Sequence, residues 1–534
     1  MATLPEGALM ERAATGLAVV CARMLGRVYG SRVVLLAGGG DNGGDALYAG
    51  ARLAARGARV DAVLAGTRVH AAGLAALRRA GGRVLDLRDA PSRNALSSDV
   101  LSPGGPSSDV PSTEARSRNG TVEGGAGGAV EGTAGGTAPA EGHRARAGVP
   151  AAVAGLVAAA DLVVDGLVGI GGSGALREPY AALARIAGEA PCAVVAVDVP
   201  SGVDASDGRV EGAAVRADVT VTFGALKTGL LVDPGAERAG RVEFVDIGLG
   251  PYLPDPDVAA LTDEDVALRL PRPDARSDKY RRGVVGIVAG SRRYTGAAVL
   301  CVGGAVRGGA GMVRYAGVAE PVAGVRARWP EAVVTELAPG EGAGEVGRVQ
   351  AWVLGPGLGT DADAFALARS VLASDLPVLV DADALTLAAE DRSLLRRAAP
   401  TLLTPHAGEL ARLLGVGRSR IEARRLEHVR RAARELGATV LLKGSTTLVA
   451  EAGRPVRVNP TGSPWLATGG TGDVLAGFAG ALLAAGLSCY DAASCAAYLH
   501  GLAGHAGPVS AGDVAEALPA VVRAAVNGPS SGRL

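Results

Sequence analysis

An α/β protein with more than one core is what this sequence predicts, and three observations predict it. The chain has 534 residues, beyond the length at which a single hydrophobic core stops growing. Short continuous apolar runs alternate with Ala- and Gly-rich stretches of helical length, the β–α alternation of parallel sheets. Several of those runs end in Gly, Asp or His, at the carboxyl ends of strands where open α/β sheets hold their ligands.

Composition narrows the class. Acids and bases balance at 54 each, so no global field marks a binder of nucleic acid or of a membrane surface. The five cysteines have no CxxC spacing and read as reduced residues, neither disulfides nor zinc ligands. The opening MATLPEGALMERAATGLAVVCARM reads as an amphipathic helix interrupted by charge, not as a signal peptide. The longest apolar run, Val474 to Tyr490, falls short of a membrane span, and a cytoplasmic enzyme is expected. Basic residues are almost all arginine: the three lysines are Lys227, Lys279 and Lys443. A compact ammonium on a flexible stem is what distinguishes lysine chemically from the arginine fork.

In chain order, Val33 to Ala37 is a buried-strand run, followed by the glycine loop Gly38 to Asp45 and an Ala-rich helix to Ala55. Strand, glycine loop and helix open a Rossmann-like βαβ unit. Arg59 to Leu64 supplies the next strand and Arg83 to Leu85 another. Between about residues 88 and 148 Gly, Ser, Ala and Pro dominate, and Ile, Phe, Tyr, Trp and Met are absent. Such a segment cannot offset its ordering entropy, and a disordered insertion is expected. Periodicity returns with a strand at Leu162 to Val164 ending in Asp165, then a second glycine loop. The strand Ala193 to Val197 ends in Asp198-Val199-Pro200-Ser201-Gly202, and each of these aspartates is equally readable as a cap or turn residue. Lys227 follows ADVTVTF in a strand-to-loop position, as the partner of an exposed acid or as a structural or site residue. The first domain ends near Gly250, and a Pro- and charge-rich connector with one short helix follows.

The second half repeats the alternation. A strand runs into Ala289-Gly290-Ser291, and a helix spans Ala297 to Arg307. Trp352-Val353-Leu354 leads into Gly355-Pro356-Gly357-Leu358-Gly359, and Leu376 to Val380 leads into Asp381 and Asp383. Leu402-Leu403 leads into Thr404-Pro405-His406-Ala407-Gly408, with His406 between a proline and a glycine turn, and Val440 to Leu442 leads into Lys443. A doubly wound α/β domain is expected. No lysine stands in a Walker A context, so this is not a P-loop kinase. Thr468-Gly469-Gly470-Thr471-Gly472-Asp473 then opens a long apolar helix. Glycines there admit close backbone approach and positive φ, and the free N–H groups and dipole at the helix start favour phosphate. Asp473 beside such an anion suits a base toward a hydroxyl or a partner of a metal ion.

These strings resemble two fused families. GGDNGGD resembles the NNGGDG signature of the NAD(P)H-hydrate epimerases, with Asp41 at the first Asn and Ala46 at the final Gly, and TFGALKTG resembles their TxTFGxxKxG stretch. SDKY with the later GS and YTGA resembles the SHKY…G…GS…YxGA opening of the ADP-dependent NAD(P)H-hydrate dehydratases, with Asp278 at the His. TPHAGEL resembles their TPHxGE, and TGGTGD the anion hole of ribokinase-fold proteins. The resemblance spans nearly the whole chain apart from the insertion and a short tail.

The resemblance implies an N-terminal Rossmann-like domain, 1–250, and a C-terminal ribokinase-like doubly wound domain, 251–534. The first would interconvert R and S epimers of NADH and NADPH hydrated at the nicotinamide C5=C6 bond. The second would dehydrate the S epimer with ADP as co-substrate, leaving AMP and phosphate, with magnesium accompanying the nucleotide. Asn42, Asp165 and Ser201 would hold potassium. Asp41, Asn42, Gly43, Gly44 and Asp45, the run Gly169, Ile170, Gly171, Gly172, Ser173, Gly174 and Ala175, and Asp198 would meet the hydrated nucleotide, with Asp198 the candidate acid or base. In the second domain Ala297, Gly357, His406 and Asp473 would line the substrate pocket, with Asp473 as base. Lys443, Gly444, Ser445, Thr446, Thr447 and Gly472 would bind the adenine nucleotide. A homo-oligomer is expected, with no nucleic acid or membrane partner. The alternative is a ribokinase-fold vitamin-precursor kinase fused to a non-catalytic nucleotide-binding domain.

Overall fold

The computed structural model describes residues 7–88, 151–505 and 507–527; the insertion expected at 88–148 lies, but for residue 88, outside them. Among the described residues two sheets form. The first contains β1 (Arg32–Ala37), β2 (Arg59–Leu64), β3 (Arg83–Asp86), β4 (Leu162–Gly166), β5 (Ala193–Val197), β6 (Val219–Phe223) and β7 (Arg241–Val245). They run parallel in the order β3-β2-β1-β4-β5-β6-β7. Strand order reverses between β1 and β4, the place where open α/β sheets hold their ligands. The central strands β1, β4 and β5 read as near-continuous apolar runs because helices cover both faces, with one apolar cluster on each side.

One expected loop is partly helix. The helix after β1 spans Asp41–Ala55 and is preceded by an extended Gly40, so Asp41 to Asp45 form its first turn. The glycines do not break it because first-turn N–H groups need no partner within the helix, and Asp41 complements the positive end of the dipole.

The second sheet contains β8 (Val258–Ala260), β9 (Val284–Val288), β10 (Met312–Gly317), β11 (Val333–Glu336), β12 (Ala351–Leu354), β13 (Val378–Val380), β14 (Thr401–Leu403), β15 (Thr439–Leu442), β16 (Thr447–Ala450) and β17 (Val456–Asn459). Their order is β11-β10-β9-β12-β13-β14-β15-β16-β17-β8. The strands are parallel through β15, β16 and β17 turn antiparallel, and β8 pairs parallel with β17. The connector therefore supplies an edge strand as well as its helix, Asp263–Arg269, which Thr262 and Asp265 close with a capping box. Three residues of Val and Ala among prolines and acids carry too little pattern to be read as a strand.

The long apolar run is two helices, Thr471–Ala484 and Cys489–Ala503. Among the described residues no helix is long and apolar enough to cross a membrane. Thr471–Ala484 lies against the helix Thr295–Arg307 at glycine distance: a Cβ on Gly477 would come within 1.8 Å of the Cys301 carbonyl oxygen. Its glycines thus permit helix contact, which is why its composition departs from Leu and Ile. The five cysteines are free. The segment between β6 and β7 sends Val232 into the apolar core on one face of the second sheet, wholly buried.

Candidate functional sites

The first site forms at the carboxyl ends of the paired strands β1 and β4, where strand order reverses. Asp165, the fourth residue of β4, is wholly buried. Ser201 donates to it twice, from Oγ to Oδ1 (2.7 Å) and from N to Oδ2 (2.8 Å), and Leu167 N donates to Oδ1 (3.2 Å). Burial pushes the Asp165 carboxyl up to about 6, and the Ser201 hydrogen bonds oppose the rise. Ser201 Oγ also lies 3.2 Å from the Val168 carbonyl oxygen. Asn42 packs against the start of the second glycine loop, where a side chain at Gly169 would fall 2.9 Å from its Oδ1. Its Nδ2 is buried without a protein partner, so turning the amide toward a ligand breaks no hydrogen bond. One carboxylate with amide, hydroxyl and carbonyl oxygens is a donor set that fits a hard cation of low charge.

Asp198 follows β5 at φ 65, a left-handed conformation that non-glycine residues seldom adopt. Its Oδ1 accepts from Thr222 Oγ1 (3.1 Å), Phe223 N (3.2 Å) and the Lys227 ammonium. Lys227 also donates to the Phe223 carbonyl (2.8 Å). Its partner is thus a buried strand-end acid, not an exposed one. Asp45 is buried nearby with Oδ1 unpartnered, and burial, Asp198 and Asp41 push its carboxyl up to about 7. A cleft of about 440 Å³ is lined by Thr67, Val168, Gly171 to Glu178 and Glu211 among others, but Asn42, Asp45, Asp165, Asp198 and Ser201 do not line it. The second glycine loop is therefore its wall.

The second site forms at the carboxyl ends of the paired strands β9 and β12, where strand order reverses. Gly290 N donates to the Pro356 carbonyl (2.7 Å), which continues that pairing past the strand ends. Gly357, at φ 61, faces Ala297 so closely that a Cβ on it would come within 2.7 Å of the Ala297 Cβ. The helix Thr471–Ala484 begins after Gly470 at φ 90 and puts Asp473 in its first turn. Two ties hold that turn: Thr471 Oγ1 donates to the Leu466 carbonyl (2.8 Å), and the buried His500 Nε2 lies 2.9 Å from the Thr471 carbonyl oxygen. Burial lowers His500 to about 4, so the imidazole is neutral and donates there.

Lys443 Nζ donates to Asp381 Oδ1 (2.8 Å), with Glu409 at 4.0 Å, and it lies near Gly472, 3.6 Å from where a Cβ would stand. Burial disfavours its charge, but Asp381 and Glu409 outweigh that and hold the ammonium above its usual range. Burial and then Asp381 push the Asp473 carboxyl up to about 7 against the pull of Lys443. A carboxylate poised near neutrality beside a helix start can accept a proton and then lose it again.

His406 neighbours Glu409 and feels the charge of Lys443. It is the N-cap of the helix Ala407–Leu414, where Nδ1 accepts from Gly408 N (2.9 Å) and Glu409 N (3.2 Å), and Glu409 closes a capping box. The glycine expected as a turn is the second residue of that helix. The ring is half-exposed, and burial together with the nearby cations lowers its proton affinity against the pull of Glu409. The exchanged Asp278 lines a cavity of about 570 Å³ with Tyr280, Arg281 and Gln350. That cavity lies by the amino ends of β9 and β12, the far end of the sheet from Asp473.

Asp381, Glu409, Asp233 and Arg425 gain their roles only from the tertiary structure. Asp381 had a signal, an acid at a strand end, and Lys227 had its rarity. Glu409, Asp233 and Arg425 had none. Among the described residues no group of three or more His, Cys, Asp or Glu side chains gathers as for a protein-held metal. Magnesium that accompanies a nucleotide needs only one or two carboxylates besides phosphate.

Two sets of groups at the carboxyl ends of parallel strands, each with an aspartate held by a lysine, define a fused pair of nucleotide-type α/β domains. Family models agree with that division: residues 285–519 match the NAD(P)H-hydrate dehydratase model, and residues 6–229 match the YjeF-related protein N-terminus. The chain belongs to the bifunctional NAD(P)H-hydrate repair enzymes. The enzyme Nnr of that description from Mycobacterium leprae is 44% identical over 509 residues, covering 94% of this chain and 89% of the relative. That of Mycobacterium tuberculosis is 44% identical over 503 residues, covering 92% and 88%. Among solved structures, the ADP/ATP-dependent NAD(P)H-hydrate dehydratase from Bacillus subtilis, co-crystallised with ATP and Mg2+, is 30% identical with a TM-score of 0.45, covering 50% of this chain and 99% of its own.

Proposed function

We propose that the two clefts act in sequence on hydrated NADH and NADPH, with residues 1–250 epimerising the R and S forms at C6 and residues 251–534 dehydrating the S form with ADP. The observation that carries this reading is Asp473. It sits in the first turn after a positive-φ glycine and is pushed up to about 7 by burial and Asp381. Asp473 takes the proton of the C6 hydroxyl as that oxygen attacks the β-phosphorus of ADP, and AMP leaves. The N–H groups of the glycine loop and helix start steady charge on the transferring phosphoryl group. Phosphate then departs from C6 as C5 loses a proton, which restores the C5=C6 bond.

Ala297, Gly357 and His406 form the substrate side of this cleft, and Lys443 to Thr447 with Gly472 the nucleotide side. A magnesium ion brought in by the nucleotide would need only one or two carboxylates besides phosphate, and Asp383, whose charge is felt by Asp473, would supply one. In the first cleft the loop Asp41 to Asp45 and the run Gly169 to Ala175 seat the hydrated nicotinamide. Asn42, Asp165 and Ser201 would hold potassium, which supplies positive charge beside the substrate. Asp198, fixed by Lys227, handles the proton of epimerisation, with Asp45 as its neighbour. A vitamin-precursor kinase is not favoured, because family models and relatives match both halves.

The test is to incubate mixed R and S hydrated NADH with the full chain and ADP, in potassium and in tetramethylammonium buffer. Complete conversion to NADH in potassium is expected, with R persisting longer when potassium is absent. No NADH from either epimer refutes the reading of the second half. Conversion that stops with all R intact in potassium refutes the reading of the first.

A further inference from the structure

The nucleotide side of the second cleft is held by a residue from the other half of the chain. Asp233, between β6 and β7, is 8% exposed. Its Oδ2 accepts from Ser445 Oγ (2.5 Å), Thr446 Oγ1 (3.0 Å) and Thr446 N (3.2 Å), while its Oδ1 is buried with no partner. The adjacent Val232 lies wholly buried in the apolar core of the second sheet, so the contact is anchored and not a brush between exposed loops. From the opposite side Arg425 Nη2 donates to the carbonyls of Lys443 (3.0 Å) and Thr446 (3.3 Å). Gly444 sits directly on that guanidinium, 2.2 Å from where a Cβ would stand. Carbonyls on one flank and hydroxyl and amide donors on the other are therefore both taken up by protein.

We propose that Asp233 is a positioning residue for the adenine nucleotide, setting the Lys443 to Thr447 loop of the dehydratase half from within the epimerase half. By accepting both hydroxyl protons it turns the remaining lone pairs of Ser445 and Thr446 away from itself and fixes the Thr446 peptide plane. A loop so fixed meets its ligand without having to be ordered at binding. Removing the carboxylate leaves three donors to find new partners and frees the loop. The proposal rests on the assignment of this loop to ADP made above.

The experiment is steady-state kinetics on the full chain, with epimerase and dehydratase rates measured separately for wild type, Asp233→Ala and Asp233→Asn. In Asp233→Ala the KM for ADP is expected to rise about tenfold, with kcat and the KM for the S epimer within about twofold and epimerisation unchanged. Asp233→Asn keeps the shape and one acceptor, and a smaller rise of about threefold is expected. Hydrogen exchange of the Thr446 amide should quicken in Asp233→Ala in the absence of any nucleotide. In a Ser445→Ala/Thr446→Val background the alanine change should add little further to the ADP KM. An ADP KM unmoved in both variants, or one that rises as much again in that background, overturns the proposal. Wild-type dehydration that proceeds without dependence on adenine nucleotide overturns the loop assignment beneath it, and is recognised before any variant is compared.

Discussion

Replacing Asp473 by Asn keeps the side chain's shape and removes both its charge and its ability to take a proton. A positioned base contributes about 10²- to 10⁴-fold, so kcat for ADP-dependent dehydration should fall by that factor, about 2.7–5.5 kcal/mol in the barrier. Epimerisation in the other cleft should be untouched. The same substitution should stabilise the fold, with a sign that depends on pH. The folded carboxyl is raised from 3.8 to about 7, so the folded state retains a proton that the unfolded chain gives up near pH 4. Stability is therefore lost as pH rises from about 4 to 7, and the loss is constant above that. For a dry group the displacement is worth about 4 kcal/mol. Asp473 is partly open to solvent, and about 1–2 kcal/mol is the expected share. Urea denaturation of wild type and Asp473→Asn at pH 4, 6 and 8 should show a gain that is absent at pH 4 and full at pH 8. Wild-type kcat should rise with an apparent pKa near 7. Full dehydratase speed in the Asn variant, or a stability difference independent of pH, refutes the reasoning.

Three further outcomes are expected. Lys227→Met leaves Asp198 without its cation and should slow epimerisation at least about 10²-fold while dehydration of the S epimer stays within about twofold, as chromatography of the two epimers would show. Lys443→Met uncovers the wholly buried Asp381 and should cost about 3 kcal/mol of stability by denaturant titration. It also removes the charge that holds Asp473 down, so the rising limb of residual dehydration should move to higher pH. Gly477→Ala would force a Cβ to within 1.8 Å of the Cys301 carbonyl oxygen, and the separation of the two helices should lower stability by about 2–4 kcal/mol, read from the denaturation midpoint.

Local chemistry made much of this protein legible in its residues. Apolar runs of strand length ending in Gly or Asp placed β1, β4, β5 and β13, because buried parallel strands and their turns leave a mark within a few positions. The glycine strings at Gly38, Gly169 and Gly469 marked the clefts for the same reason. Long-range pairing has no such mark. That Lys227 neutralises Asp198, that Lys443 reaches Asp381 sixty-two residues upstream, and that Asp233 grips Ser445 across 212 positions follow only once the sheets bring those strand ends together. His406 shows the limit from the other side: its place after β14 was legible, but its work as a helix cap depended on where the next helix began. Side-chain types and turn chemistry are properties of a short segment, whereas the partner of a buried charge is chosen by the packing of the whole domain.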